Sequence, residues 1–146
     1  NDAIFVHDPE TGAILDANRR ACENAGTTLE ALRRDGFAHI ANGPPPYDAD
    51  RARAYMRRAA SGEPVRFEWM TLDRRAGAPS WMEVSLQRVA IRGEERVLAL
   101  VRDIGERKQA EEALRTSAES YRAIFEGAEA MWLHDAGSGE ILEVNP

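Results

Sequence analysis

One stretch of this chain is written twice. HDPETGAILDAN, from His7 to Asn18, returns as HDAGSGEILEVN, from His134 to Asn145. An offset of 127 residues, His7 to His134, aligns the two copies without a gap. Gly12 falls on Gly139 and Ile14-Leu15 on Ile141-Leu142, while Ala3-Ile4-Phe5-Val6 falls on Ala130-Met131-Trp132-Leu133. A repeat at a fixed period marks a modular architecture, and this period is the size of a domain rather than of a solenoid unit. The expectation is one whole domain followed by the first strands of a second, cut from a longer protein. Residues 130–146, separated from the rest of their own domain, are expected to be disordered or to pair in trans with an exposed strand edge.

The period changes along the chain. AIFVHD and AILDAN read as two short strands joined by the turn residues PETG, a hairpin. RRACENAG reads as a helix between Asn18 as N-cap and Gly26 as stop, and TTLEALRRDG as a second short helix. ANGPPPYDAD is a loop, because three successive prolines cannot lie inside a helix. Asp48 to Gly62 reads as a capped helix. Three long strands follow, EPVRFEWMTLDRRAG, APSWMEVSLQRVAIRG and ERVLALVRDI, with a turn around Gly77. In the middle one Met82, Val84 and Leu86 alternate with Trp81, Glu83, Ser85 and Gln87, which gives one apolar face. The last is apolar on both faces, Val97, Ala99 and Val101 against Leu98 and Leu100, and is therefore expected to be covered on both sides.

From Asp103 the period is helical. Asp103-x-x-Glu106 has the spacing of a capping box. Ala110, Leu114, Ser117, Tyr121, Ile124 and Ala128 are spaced as a heptad seam of under three heptads. Two readings stand: an amphipathic helix packed on its own domain, or a parallel coiled coil between two chains. The charge-dense GERKQAEEALR is a solvated helix face with opposite charges at helical spacing.

Charge and cysteine content exclude several classes. A net charge of −6 argues against a nucleic-acid partner, which needs a basic surface. No apolar run approaches the roughly 20 residues that span a bilayer, so this segment is expected to make no membrane contact. The single cysteine, Cys22, rules out an internal disulfide and a Cys-rich metal site, and is compatible with a cytoplasmic location.

The order of elements, two strands, short helices, three long antiparallel strands and an exit helix leading into a second copy, resembles the PAS domain of bacterial signalling proteins. DAIFVHDPETGAILDAN and LVRDIGERKQAEEAL carry the resemblance, the second being similar to the family's C-terminal D-I-T-E-R-K signature. It covers residues 1–115 and restarts near 121. It implies an α+β fold, a five-stranded antiparallel sheet with helices over one face. The division it implies is a PAS domain over 1–104, a signalling or coiled-coil helix over 105–128, and the first strands of a truncated second PAS domain over 129–146. The joint between last strand and output helix would be Asp103, Ile104, Gly105 and Glu106. Gly105 stands where the family usually has Thr, so a hydroxyl is missing and the joint is loosened.

PAS domains differ in what fills the space between sheet and helices. A flavin bonded to cysteine needs the family's Asn-Cys-Arg-Phe-Leu-Gln stretch, which does not occur, and Cys22 lies too early, so it is read as a small buried residue. Haem needs an axial ligand on the long helix, which has Tyr55 and Met56 but no His; His39 precedes it and is disfavoured. His7 shares the Phe5 face, which by resemblance looks into the cavity, but its repetition as His134 favours a fold role. Trp69 and Trp81 could stack on a flat ligand, although alternation assigns Trp81 to the polar face of its strand, under the exit helix or against a partner. The candidate cavity residues are Phe5, His7, Cys22, Met70, Leu72, Met82, Val84, Leu86, Ala99 and Val101. They suit a small apolar ligand of unknown identity or a filled core. No Ser-His-Asp set, phosphate loop or metal-ligand cluster is present, so no catalytic or metal residue is assigned.

The functional expectation is a PAS sensor of a multidomain regulator, a sensor histidine kinase, with a diguanylate cyclase or phosphodiesterase as the alternative parent. The partners expected are a second copy in a homodimer, through the seam of Ala110, Leu114, Ser117, Tyr121 and Ile124, and an output domain of the same chain. The competing expectation is a ligand-free dimerisation spacer. A small α+β enzyme is a weaker third.

Overall fold

The computed structural model describes residues 2–72, 77–127 and 132–144. The chain divides into two compact units, Asn1–Gly105 and Glu106–Pro146.

The first unit is built on a five-stranded antiparallel sheet. The strands are β1 (Ala3–His7), β2 (Ile14–Ala17), β3 (Val65–Leu72), β4 (Pro79–Ile91) and β5 (Glu94–Asp103), in the spatial order β2-β1-β5-β4-β3. Between β2 and β3 run α1 (Arg19–Ala25), α2 (Leu29–Asp35), α3 (Phe37–Ile40) and α4 (Ala49–Ala60). The α+β PAS architecture expected from the sequence is thus present. Local chemistry sets the joints. The Asn18 side chain accepts from Ala21 N at 2.9 Å, capping α1, and from Ile4 N at 3.0 Å, tying the helix start to β1. Thr28 caps α2 and Asp48 caps α4 in the same manner. β4 and β5 are joined by Arg92-Gly93, both at positive φ, the turn geometry that suits the twist of a hairpin.

The core lies between one sheet face and the helices. β1 alternates, with Ala3, Phe5 and His7 buried and Ile4 and Val6 half-buried. On β5, paired in register with β1, Val97 and Ala99 are buried. Ala21 of α1, Leu32 of α2, and Met56 and Ala59 of α4 close the core from the helical side. On the outer sheet face Leu98 is half-buried and Leu100 is 37% exposed.

The second unit carries α5 (Gly105–Gly127, which starts at the end of the first unit) and a hairpin of β6 (Trp132–His134) with β7 (Ile141–Val144). Tyr121 stacks on Phe125 and donates from its hydroxyl to Glu143 at 2.7 Å. Residues 132–144 therefore form a hairpin, where disorder or pairing in trans was expected. The seam position Ala128 and the repeat residues Ala130, Met131 and Asn145 lie outside the described residues, as do residues 73–76. No helix among the described residues is long and apolar enough to cross a membrane.

Candidate functional site

A cavity of about 160 Å³ lies within the first unit, between the inner sheet face and α1, α3 and α4. Strand alternation builds its floor. Ser80, Met82, Val84 and Leu86 of β4 all point to it, because every second residue shares a face. β5 adds Ala99 and Val101, and β1 adds Phe5 and His7. On β3 the inner residues are Phe67, Trp69 and Thr71, with Leu72 at the strand end. Trp69 is set by register, since it pairs with Met82. An aromatic wall results. Phe67 stacks on Tyr55 of α4 at 3.8 Å between centroids, and Trp69 meets Phe67, Tyr55 and Tyr47 edge-on.

Eight of the ten cavity residues expected from the sequence line it: Phe5, His7, Leu72, Met82, Val84, Leu86, Ala99 and Val101. Met70 does not. It pairs with Trp81 in the strand register and, by alternation from Trp69, takes the opposite face. Cys22 does not either; it packs half-buried on the core while its neighbours Ala21, Asn24 and Ala25 face the cavity. Trp81 meets Tyr47 at 5.6 Å, a contact with the proline-rich loop that sequence reasoning missed.

That loop closes one end of the cavity. The Asn42 amide pairs with the Leu72 backbone in both directions, donating to its carbonyl at 3.1 Å and accepting from its N–H at 3.2 Å. Gly43 then runs against β3 so closely that a Cβ there would lie 2.4 Å from the Met70 carbonyl oxygen. Only glycine fits that approach.

His7 is 1% exposed. Its Nδ1 lies 3.0 Å from the Gly12 carbonyl, which can only accept, so Nδ1 carries the hydrogen and Nε2 is an acceptor. Burial pushes its pKa below the ordinary histidine value, against a smaller opposite effect of the Gly12 bond, and the ring is neutral at pH 7. The fold role inferred from its repetition has a direct counterpart. His134 makes the same contact to the Gly139 carbonyl, at 3.3 Å. His39 lines the cavity and faces Asp35 at 3.3 Å. Among the described residues there is no group of three or more His, Cys, Asp or Glu placed to hold a metal.

Ile104 is buried and its N–H donates to the Trp81 carbonyl at 2.9 Å. The Asp103 carboxylate accepts from Gly105 N at 2.7 Å, two residues on, at the first residue of α5. Glu106 is exposed. Along α5, Ala110, Leu114, Ser117, Tyr121 and Ile124 are all exposed, Leu114 at 73% and Ile124 at 65%.

Comparison with known proteins places this architecture. A solved sensory box histidine kinase/response regulator from Burkholderia thailandensis E264 is 23% identical, with a TM-score of 0.57, over 83% of this chain and 90% of that one. The domain of a light and redox sensing histidine kinase from Haloarcula marismortui is 20% identical, with a TM-score of 0.56, over 71% and 90%. The PAS domain of an HTR-like protein from the same organism is 28% identical, with a TM-score of 0.51, over 70% and 86%. No curated protein matches. The sequence model of the PAS fold matches residues 1–109, three quarters of the chain, and the chain belongs to the PAS family.

Proposed function

We propose that this chain is the sensor segment of a multidomain signalling protein, with a histidine kinase as its parent. Occupancy of the cavity favours one packing of sheet, joint and exit helix over another, and α5 carries that bias to an output domain. The observation that supports this most is the cavity. It is apolar, lined in part by the adaptable side chains Met56 and Met82, and shares strands β4 and β5 with the Ile104–Trp81 and Asp103–Gly105 contacts that start α5. Two of the structural neighbours named above are from histidine kinases, which supports that parent over a cyclase or phosphodiesterase. The repeated hairpin supports a second PAS domain beginning after α5. The protein acts as a homodimer, and the exposed apolar residues Leu114 and Ile124 on one seam of α5 support a helix pair.

Native mass spectrometry and an absorbance spectrum of the chain purified from its host test sensing together. A mass above the 16.2 kDa polypeptide, or an absorbance band beyond the tryptophan region, is expected. A bare dimer that also takes up no small molecule would make the chain a spacer, a reading that the exposed seam by itself supports equally.

A further inference from the structure

Resting on the sensor reading above, we infer that the cavity selects a neutral aromatic molecule bearing one hydrogen-bonding group. Charge comes first. Among the described residues that line the cavity, none is Asp, Glu, Lys or Arg. The ionisable liners among the described residues are His7, which is held neutral, and His39, which faces Asp35. A carboxylate or phosphate entering the cavity would lose its hydration and meet no Lys or Arg in exchange, and the one histidine that faces an acid, His39, is already matched by Asp35, a cost that disfavours it. A cationic ligand fares no better without a carboxylate liner.

Shape and polarity narrow the class further. Phe67 and Trp69 present aromatic surface from the edge strand, and Met56 and Met82 lie on the helical and sheet sides. Aromatic pairs gain from stacked or edge-on geometry beyond the area they bury, and thioethers favour ring edges. A flat ring gains from both, and a saturated ring of equal size gains only from burial. Besides Asn24 of α1 and His39 of α3, the polar liners are His7 and one group. Thr71 and Ser80 are register partners across β3 and β4, the Thr71 hydroxyl donates to the Ser80 carbonyl at 3.5 Å, and Asn42 is pinned to the adjacent Leu72. This places hydroxyls and an amide together at the loop-closed end. His7, on β1, pairs with Val97, whose partner on β4 is Arg88, far along that strand from Ser80. Between them the sheet floor is apolar, with Met82, Val84 and Leu86 of β4 and Ala99 and Val101 of β5. A ring in the middle with one N–H or O–H toward Thr71 and Ser80 satisfies both parts.

Calorimetry on the 146-residue chain, with indole, indene, benzoate and cyclohexanol as probes, tests this. Indole should bind most tightly, indene about threefold to tenfold more weakly for want of its N–H, and benzoate not measurably. Trp69→Leu and, separately, Phe67→Leu should weaken indole by about threefold to tenfold and leave cyclohexanol unchanged. Two variants are used because buried Trp69 also supports the core. Benzoate binding as well as indole, or cyclohexanol matching indole, would overturn the ligand class. A charged molecule carried by the chain from its host would overturn the class and leave sensing intact. Failure of every probe, with a bare chain from the host, would overturn both.

Discussion

The two hairpins, β1–β2 and β6–β7, share a sequence pattern and a set of hydrogen bonds, yet one is core and the other is surface. In the first, Asp8 N donates to the Ala13 carbonyl at 2.9 Å and Gly12 N to the Asp8 carbonyl at 2.9 Å. In the second, Asp135 N donates to the Glu140 carbonyl and Gly139 N to the Asp135 carbonyl, both at 2.8 Å. Asp8 Oδ1 gathers the N–H groups of Glu10 and Thr11, and Asp135 Oδ1 those of Gly137 and Ser138. Gly12 and Gly139 have the same φ of 73°, and each hairpin shifts register at its histidine. Burial separates them. Ile14 is 2% exposed and its counterpart Ile141 is 58% exposed. The turn is thus a local product of Asp, Gly and His at fixed spacing. Burial is supplied from elsewhere in the first unit: β5 pairs with β1, and the helical residues Ala21, Leu32 and Met56 share the core with Ile14.

Paired substitutions sharpen this contrast. The largest difference is expected at the isoleucines. Ile14→Ala should cost about 2–5 kcal/mol in urea unfolding, because it empties packed core, and Ile141→Ala less than about 0.5 kcal/mol. Equal costs would mean that the second hairpin is buried in solution. The histidines come next. His7→Ala removes a buried hydrogen bond and leaves the Gly12 carbonyl unsatisfied, at about 1–3 kcal/mol, and His134→Ala should change the midpoint little.

The third difference appears with pH. His7 has a folded-state pKa below its unfolded value, so the unfolded chain binds the extra proton. Stability is therefore complete above about pH 6.5 and falls as pH drops below it toward the folded value. Carboxylates also titrate in acid, so the effect is read as the difference between wild type and His7→Gln, measured from pH 7.5 to 5. Wild type should lose more stability than the variant; parallel curves would mean that His7 protonates freely in the folded chain. The smallest difference is expected at the turn carboxylates. Asp8→Ala and Asp135→Ala should each speed amide exchange, at Thr11 and at Ser138, to a similar degree. A large effect in only one hairpin would show that the turns are not independent local structures.

Patterns with a single apolar parity were legible in the sequence. β4 is the case in point, with Met82, Val84 and Leu86 on the face the alternation assigns them. On β3 Met70 was misplaced, because both parities carry large apolar residues. Phe67 and Trp69 compete with Met70, and only the pairing of Trp69 with Met82 decides between them, while Leu72 reaches the cavity from the strand end. Cys22 was misread because α1 has seven residues, too few for its sequence to fix which face turns inward. The cavity's polar end was not legible at all. Asn42 and Leu72 are thirty residues apart, and no local pattern announces that a proline-rich loop will pair with a strand edge. The heptad spacing on α5 is a feature of the sequence, and the structure leaves Leu114, Tyr121 and Ile124 exposed.

Sensing requires that the state of the cavity reach α5, and hydrogen exchange across residues 105–127 measures this most directly. Ala52→Leu and Ala99→Leu each fill the cavity from opposite walls, and loss of indole binding reports the filling. Relative to wild type, protection of the first turns of α5 should change in both variants, because the Asp103–Gly105 and Ile104–Trp81 contacts connect that helix start to the cavity strands. A filled cavity with exchange along α5 identical to wild type would contradict the relay and leave a PAS domain that spaces and pairs its chain without sensing.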